Sequence, residues 1–139
     1  MILAKLRENI AINSVQNKVA IVSDEASITY GDLLTNIDAL ADDLLAANVV
    51  KGHVLLTYMD NVPGFVVALI AATKVGCTFA PIDMGSTPEE FQGKLDLTNS
   101  DIIICDVDNK EYCQEYSSNL VCLNAKGELI ECGLGVVPE

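Results

Sequence analysis

The sequence predicts an α/β fold: a mostly parallel sheet flanked by helices on both faces, with a small N-terminal hairpin. Two observations carry this reading. Between Ile28 and Asp83, short β-rich apolar runs alternate with segments of helical periodicity, joined by short connections. Within that stretch, Val54-Leu55-Leu56-Thr57-Tyr58-Met59 is apolar almost without interruption, as a strand buried on both faces must be. Units of strand, helix and strand with such connections take right-handed crossovers and pair their strands in parallel. A single domain over residues 1–132 accommodates all of these elements, with a linker or tail over 133–139.

Each element has its own local reason. Ile2, Leu3, Leu6 and Ile10 fall near helical spacing, which predicts a short amphipathic helix over residues 2–12. Val19-Ala20-Ile21-Val22 and Ile28-Thr29-Tyr30 have β propensity and flank the polar Asp24-Glu25-Ala26-Ser27, so they read as a hairpin. Thr29 is placed to cap the next helix, with Asp32 in the position of a capping-box acid. Leu33, Ile37, Leu40 and Leu44, widened by Leu34, Ala41 and Leu45, give that helix one broad apolar face ending near Asn48. Asn61 is the expected cap of the following helix, with Pro63 in its first turn.

From Phe65 to Val75 that helix is apolar almost all round, so it needs cover on both sides. Lys74 suits its C-terminal dipole and Gly76 its left-handed end. Cys77 to Ile82 is the next strand. Ser86-Thr87-Pro88-Glu89-Glu90 combines a hydroxyl cap, a first-turn proline and a capping-box Glu. Phe91 and Leu95 face inward on this helix, and Gly93 weakens it. Residues 101–105 form a further strand, Lys110 to Ser117 a short helix, and Leu120 to Leu123 a last strand.

Composition narrows the function. The 139 residues are 50% hydrophobic and lack Trp, which demands an aliphatic core and argues against disorder. Acidic residues outnumber basic ones 20 to 8, for a net charge of −12, and the bases are scattered singly. That excludes a basic track for nucleic acid and disfavours an anionic membrane surface. The apolar run from Phe65 to Ala72 is too short to span a bilayer, and the first residues lack the apolar core of a signal peptide. The cysteines at 77, 105, 113, 122 and 132 are irregularly spaced, with no Cys-x-x-Cys, so no zinc site is expected. Cys77 and Cys105 read as small buried hydrophobes. The odd count points to free thiols in a reducing compartment, the cytoplasm.

The sequence offers no catalytic, cofactor-binding or metal-binding residue of its own. Gly93-Lys94 lacks the leading Gly and trailing hydroxyl of a phosphate loop, and Gly133-x-Gly135 has no third Gly or helix start. Asp42-Asp43 and Glu89-Glu90 are adjacent on helices and cannot face one another as an acid–base couple. The single His53 sits where a loop enters a strand, with nothing local to bring a nucleophile to it. Tyr30 and Phe79 flank apolar segments and read as packing aromatics.

Taken in order, these residues resemble the N-terminal part of the adenylate-forming superfamily. This group holds the acyl-CoA synthetases, luciferase-type enzymes and the adenylation domains of nonribosomal peptide synthetases. Thr29-Tyr30-Gly31-Asp32-Leu33 is similar to the family's Thr-Tyr-x-Glu-Leu, preceded as expected by Val19-Ala20-Ile21-Val22. Leu40-Ala41-Asp42-Asp43-Leu44 and the Met59-Asp60-Asn61 turn follow in family order. Lys74-Val75-Gly76-Cys77-Thr78-Phe79-Ala80-Pro81-Ile82-Asp83 is close to Lys-Ala-Gly-Ala-x-Tyr-Val-Pro-Leu/Ile-Asp, and Thr87-Pro88-Glu89-Glu90 fits the next helix start. Gly52-His53 stands where the family has Gly-Asp, and Phe91 replaces an Arg common after Pro-x-Glu.

The resemblance implies an ATP-dependent ligase that works through acyl- or aminoacyl-adenylates. The family's Gly-rich loop ending in Pro-Lys-Gly, its aromatic-Thr-Glu segment, its ribose-binding Asp and its catalytic Lys have no match in this sequence. The matched positions are caps, turns and core. The expectation is therefore a truncated N-terminal portion, inactive alone, with ATP and Mg implied only for a complete family member. Its expected partners are the missing remainder of the ligase, another protein chain, or a second copy. The rival reading is a non-catalytic adaptor or docking module of a peptide-synthetase-type assembly. A flavodoxin-like domain, which would retain flavin, is a third.

Overall fold

In the computed structural model, residues 2–24, 26–60, 62–100, 102–117 and 119–134 are described. Helix α1 (Ile2–Asn13) precedes a hairpin of β1 (Val19–Val22) and β2 (Ser27–Thr29), which leads directly into α2 (Tyr30–Ala46). Then come β3 (Val54–Tyr58), α3 (Pro63–Val75), β4 (Thr78–Pro81), α4 (Pro88–Thr98) and β5 (Ile102–Asp106). A 3-10 turn (Val107–Asn109) leads to α5 (Lys110–Cys113), β6 (Asn119–Leu123) and β7 (Leu129–Cys132). The main sheet has the order β4-β3-β5-β6-β7. The first four strands run parallel, and β7 is antiparallel to β6.

The sheet divides two cores, and strand alternation sorts residues between them. Leu55, Ile102, Ile104, Val121 and Leu123 face α2 and α3, where Leu3 and Ile28 also pack. Leu56, Tyr58, Ile103, Cys105 and Leu120 face Phe91 and Leu95 of α4 and Cys113 of α5. The predicted architecture is thus the observed one. Thr57 also lies inside this sheet at 1% exposure, and its hydroxyl finds no hydrogen-bond partner among the described residues.

Topology follows from handedness. The crossover from β3 to β4 runs toward one edge over α3, whereas the crossover from β4 to β5 runs back past β3 over α4. A reversed direction keeps right-handed crossovers only if the helix changes face. The carboxyl ends of β3 and β4 therefore carry connections that diverge to opposite faces.

Local capping explains the starts of α2 and α4. At α4 both halves of the capping box form: Thr87 Oγ1 accepts from Glu90 N, and Glu90 Oε1 accepts from Thr87 N. At α2 Thr29 Oγ1 accepts from Asp32 N. Asp32 makes no reciprocal bond to the cap in this helix, because Asp is a methylene shorter than Glu. The cap position of α3 is Val62, which has no capping side chain, and the helix starts at Pro63, the proline expected in its first turn. Asn61, the expected cap, lies outside the described residues. Gly64 N instead donates to Ala125 O at 2.9 Å, so the turn between β6 and β7 caps this helix from across the fold.

Three further details differ from expectation. Helix α5 is a single turn ending at Cys113 rather than at Ser117. Leu45 is 47% exposed, at the margin of the apolar face of α2. Strand β7 was unexpected: Leu-Ile-Glu-Cys does not alternate cleanly, and its pairing with β6 carries an irregularity at Leu123. Beyond it, Gly133 N donates to Leu120 O at 2.7 Å, and Leu134 packs half-buried on the larger core.

Two tertiary ties fix α2. Asn36 Nδ2 donates to Lys126 O at 3.1 Å, tying α2 to the β6–β7 turn. Asp38 Oδ1 accepts from Arg7 Nη2 at 2.8 Å and Lys74 Nζ at 3.1 Å, joining α1, α2 and α3. Burial pushes the Asp38 carboxyl up, but the hydrogen bonds and charges of Arg7 and Lys74 outweigh it and hold its pKa below the ordinary 3.8.

A depressed carboxylate pKa stabilises the fold above its unfolded value and loses that contribution as pH falls through the folded value. The Asp38 side chain is 34% exposed, so solvent screening keeps the gain small. Asp38→Asn is expected to cost about 0.5–1 kcal/mol at neutral pH. Urea melts should show that gap closing as pH drops below the ordinary 3.8, and narrowing in high salt.

Glycines give a second check. A Cβ on Gly127, whose φ is +85°, would sit 2.5 Å from Val67 Cγ2 and 3.1 Å from Gly64 Cα. Gly127→Ala should therefore destabilise by about 2–4 kcal/mol, from overpacking added to backbone strain. Gly93 in α4 has nothing within 4 Å of such an atom. Gly93→Ala should stabilise by about 0.5–1 kcal/mol in the same assay.

Candidate functional site

The divergence of connections at β3 and β4 leaves a gap at their carboxyl ends. A crevice of about 470 Å³ lies there, lined by Met59, Asp60, Phe65, Pro81, Ile82, Asp83 and Met84. Open α/β sheets take ligands at such switch points. Its walls are anchored: Ile82 N donates to Thr57 O at 2.8 Å, and the Tyr58 hydroxyl reaches Met84 O at 3.4 Å. Phe65 meets Phe79 edge to face, with centroids 5.5 Å apart. A smaller crevice of about 130 Å³ lies beside β5 and β6, lined by Asp106, Val107, Asp108, Asn124 and Ala125.

Four aspartates mark this end of the sheet: Asp60, Asp83, Asp106 and Asp108. Asp106, 6% exposed, is structural. Its Oδ1 accepts from the backbone and side chain of Asn109, and its Oδ2 faces Asp60 N at 3.5 Å. Asp83 Oδ1 accepts from Gly85 N at 2.9 Å and sets the loop. Among the described residues, neither crevice is lined by a cation. Carboxylates without a cation repel a triphosphate, so the described residues do not fit ATP at either crevice. Among the described residues no group of three or more His, Cys, Asp or Glu side chains could hold a metal ion.

The residues singled out in the sequence scatter across the fold. Asp42 and Asp43 lie on the outer side of α2, and Glu89 and Glu90 in the exposed first turn of α4. Thr87 bonds hold the Glu90 carboxyl below its ordinary pKa. Gly93 and Lys94 are inside α4, and Gly133 follows β7 while Gly135 lies outside the described residues. Tyr30 is half-buried at the start of α2, and Phe79 packs at the rim of the larger core.

His53 and Cys77 do converge, which no local pattern in the sequence indicated. Val50 N lies 3.0 Å from His53 Nδ1, and Cys77 Sγ donates to Val50 O at 3.4 Å. The parallel pairing of β3 with β4 makes them neighbours, since Thr78 N donates to His53 O. The thiol bonds a carbonyl, and burial raises its pKa, so it is a poor nucleophile. Both lie at the amino ends of their strands, away from the crevice.

Cys105, Cys113 and Cys122 form a buried thiol group around β5, β6 and α5. A hydrogen bond with Cys113, together with burial, drives the Cys105 pKa far up, and burial pushes Cys122 up to about 11. Such thiols are inert. Titration with a disulfide reagent should label half-buried Cys132 in the native protein and Cys77 more slowly, while Cys105, Cys113 and Cys122 react only in denaturant.

Comparison with known proteins places this geometry. The family model for AMP-binding enzymes matches residues 9–132. A PKS-NRPS hybrid synthetase of Aspergillus niger is 35% identical over 79 residues, covering 57% of this chain and 4% of that protein. The oxalate–CoA ligase of Arabidopsis thaliana is 26% identical over 136 residues, covering 97% of this chain and 26% of that protein. The crystal structure of coronafacic acid ligase from Pectobacterium brasiliense superposes with a TM-score of 0.74 at 20% identity. It covers 87% of this chain and 25% of that one. The chain thus spans about a quarter or less of the length of these relatives. The matched span takes in the hairpin, all four parallel strands, their crossovers and β7, and the chain belongs to the AMP-binding enzyme family.

Proposed function

We propose that these residues are the N-terminal scaffold of an ATP-dependent ligase that forms acyl- or aminoacyl-adenylates, and that they are inactive alone. The observation that carries this reading is the extent of the match. Nearly the whole chain aligns with a family in which the oxalate–CoA and coronafacic acid ligases are about four times longer and the hybrid synthetase longer still. The chemistry agrees. Adenylation needs donors preorganised on a triphosphate, and usually a metal beside them. The carboxyl end of this sheet offers aspartates instead.

In a complete ligase, ATP and Mg would be held by polypeptide outside these residues, which would also carry the substrate pocket. Five free thiols fit a reducing compartment, and we assign the chain to the cytoplasm. Among the described residues no helix is long and apolar enough to cross a membrane.

A non-catalytic docking module is the second reading, favoured by one observation. The apolar helix α3 is already covered, by α2 on one side and the sheet on the other. That closure suits a free-standing unit.

ATP–pyrophosphate exchange by the 139-residue protein, against a panel of carboxylic and amino acids, should stay at background. Turnover by the isolated chain would sink the scaffold reading. Light scattering with a hydrophobic dye separates the two readings: a dye-negative monomer favours the module, and self-association favours the scaffold.

A further inference from the structure

We propose that the crevice at the carboxyl ends of β3 and β4 is a docking site for a cationic polypeptide segment that inserts an apolar side chain. The inference rests on the reading above, in which these residues work with further polypeptide.

The chemistry of the lining selects this occupant. The crevice of about 470 Å³ has room for one side chain, to which Phe65, Pro81 and Met84 offer apolar contact while Met59 and Ile82 are themselves nearly buried. Asp60 is exposed at the rim, and Asp83 spends one carboxylate oxygen on Gly85 N and leaves the other open. No cation among the described residues lines the crevice to balance them, and the whole chain carries −12. A segment bearing Lys or Arg beside an apolar residue satisfies both features.

The alternatives fit less well. An anion would face two carboxylates. The neighbouring N-terminus of α3 does not compensate, because Gly64 N and Phe65 N are taken by the carbonyls of Ala125 and Val62, each at 2.9 Å. Strand addition at the carboxyl end of the β4 edge is disfavoured by register. Thr78 N and Ile82 N bond toward β3, so position 81 points its nitrogen at the free edge, and there Pro81 has no N–H to give. The site is therefore a socket for a side chain at the strand end.

The wall is braced by the Tyr58, Thr57 and Asp83 bonds and the Phe65–Phe79 contact. Little ordering cost falls on this chain when it binds.

The test is an amide chemical-shift titration of the 139-residue protein with acetyl-Lys-Leu-Arg-Phe-amide up to about 5 mM. Shifts should concentrate at Met59, Asp60, Phe65 and Ile82 to Gly85. The double variant Asp60→Asn with Asp83→Asn should weaken binding at least about fivefold. Raising salt from about 0.05 M to about 0.5 M should weaken it likewise. Both aspartates are exposed, and a side-chain amide at position 83 keeps an acceptor for Gly85 N, so the variant should hold its spectrum and Tm.

Shifts that map elsewhere, none at the top concentration, or equal binding of acetyl-Glu-Leu-Glu-Phe-amide would each overturn the proposal. These outcomes are separate from the exchange assay. Turnover by the isolated chain removes the scaffold reading and leaves the shift map standing, and a failed map leaves the scaffold reading intact.

Discussion

Burial of β3, β5 and β6 on both faces is the constraint from which the rest follows. Leu55 and Leu56, or Ile102 and Ile103, are neighbours in sequence, yet their side chains enter different cores. Neither can be dry unless helices cover both sides of the sheet. Two helix layers on a right-handed parallel sheet force the chain to change face when it reverses direction across the strands. The face change occurs at β3 and β4, and the crevice is its geometric consequence. Fold and candidate site thus share one cause.

The hairpin of β6 and β7 supports the same arrangement from the far side. Its turn is folded by Asn124, whose Oδ1 accepts from Lys126 N and Glu128 N. That turn offers Ala125 O to Gly64 and Lys126 O to Asn36, so α2 and α3 are both fixed by it. Gly64 and Gly127 lack side chains where the backbones meet. A helix with no capping side chain of its own is thereby held by a strand pair some sixty residues later in the chain.

Much of this was legible beforehand. Capping chemistry is local, so Thr29 and Thr87 marked their helix starts correctly. The apolar run of β3 announced burial on both faces, and β5 was legible as a strand. The resemblance to the family was read from these same caps, turns and core positions, and the family match extends over residues 9–132. The crevice was not legible, because Met59, Phe65 and Ile82 each read as packing residues and only strand order brings them together. The meeting of His53 and Cys77 at the backbone of Val50 was hidden for the same reason.

The sequence by itself determined the element types, the two-faced sheet and the family, since periodicity, caps and turn residues act over a few neighbours. Tertiary structure alone decided strand order, the antiparallel β7, the distant cap of α3 and the acidic crevice. Those depend on contacts between segments far apart in the chain, and no local propensity encodes which of them meet.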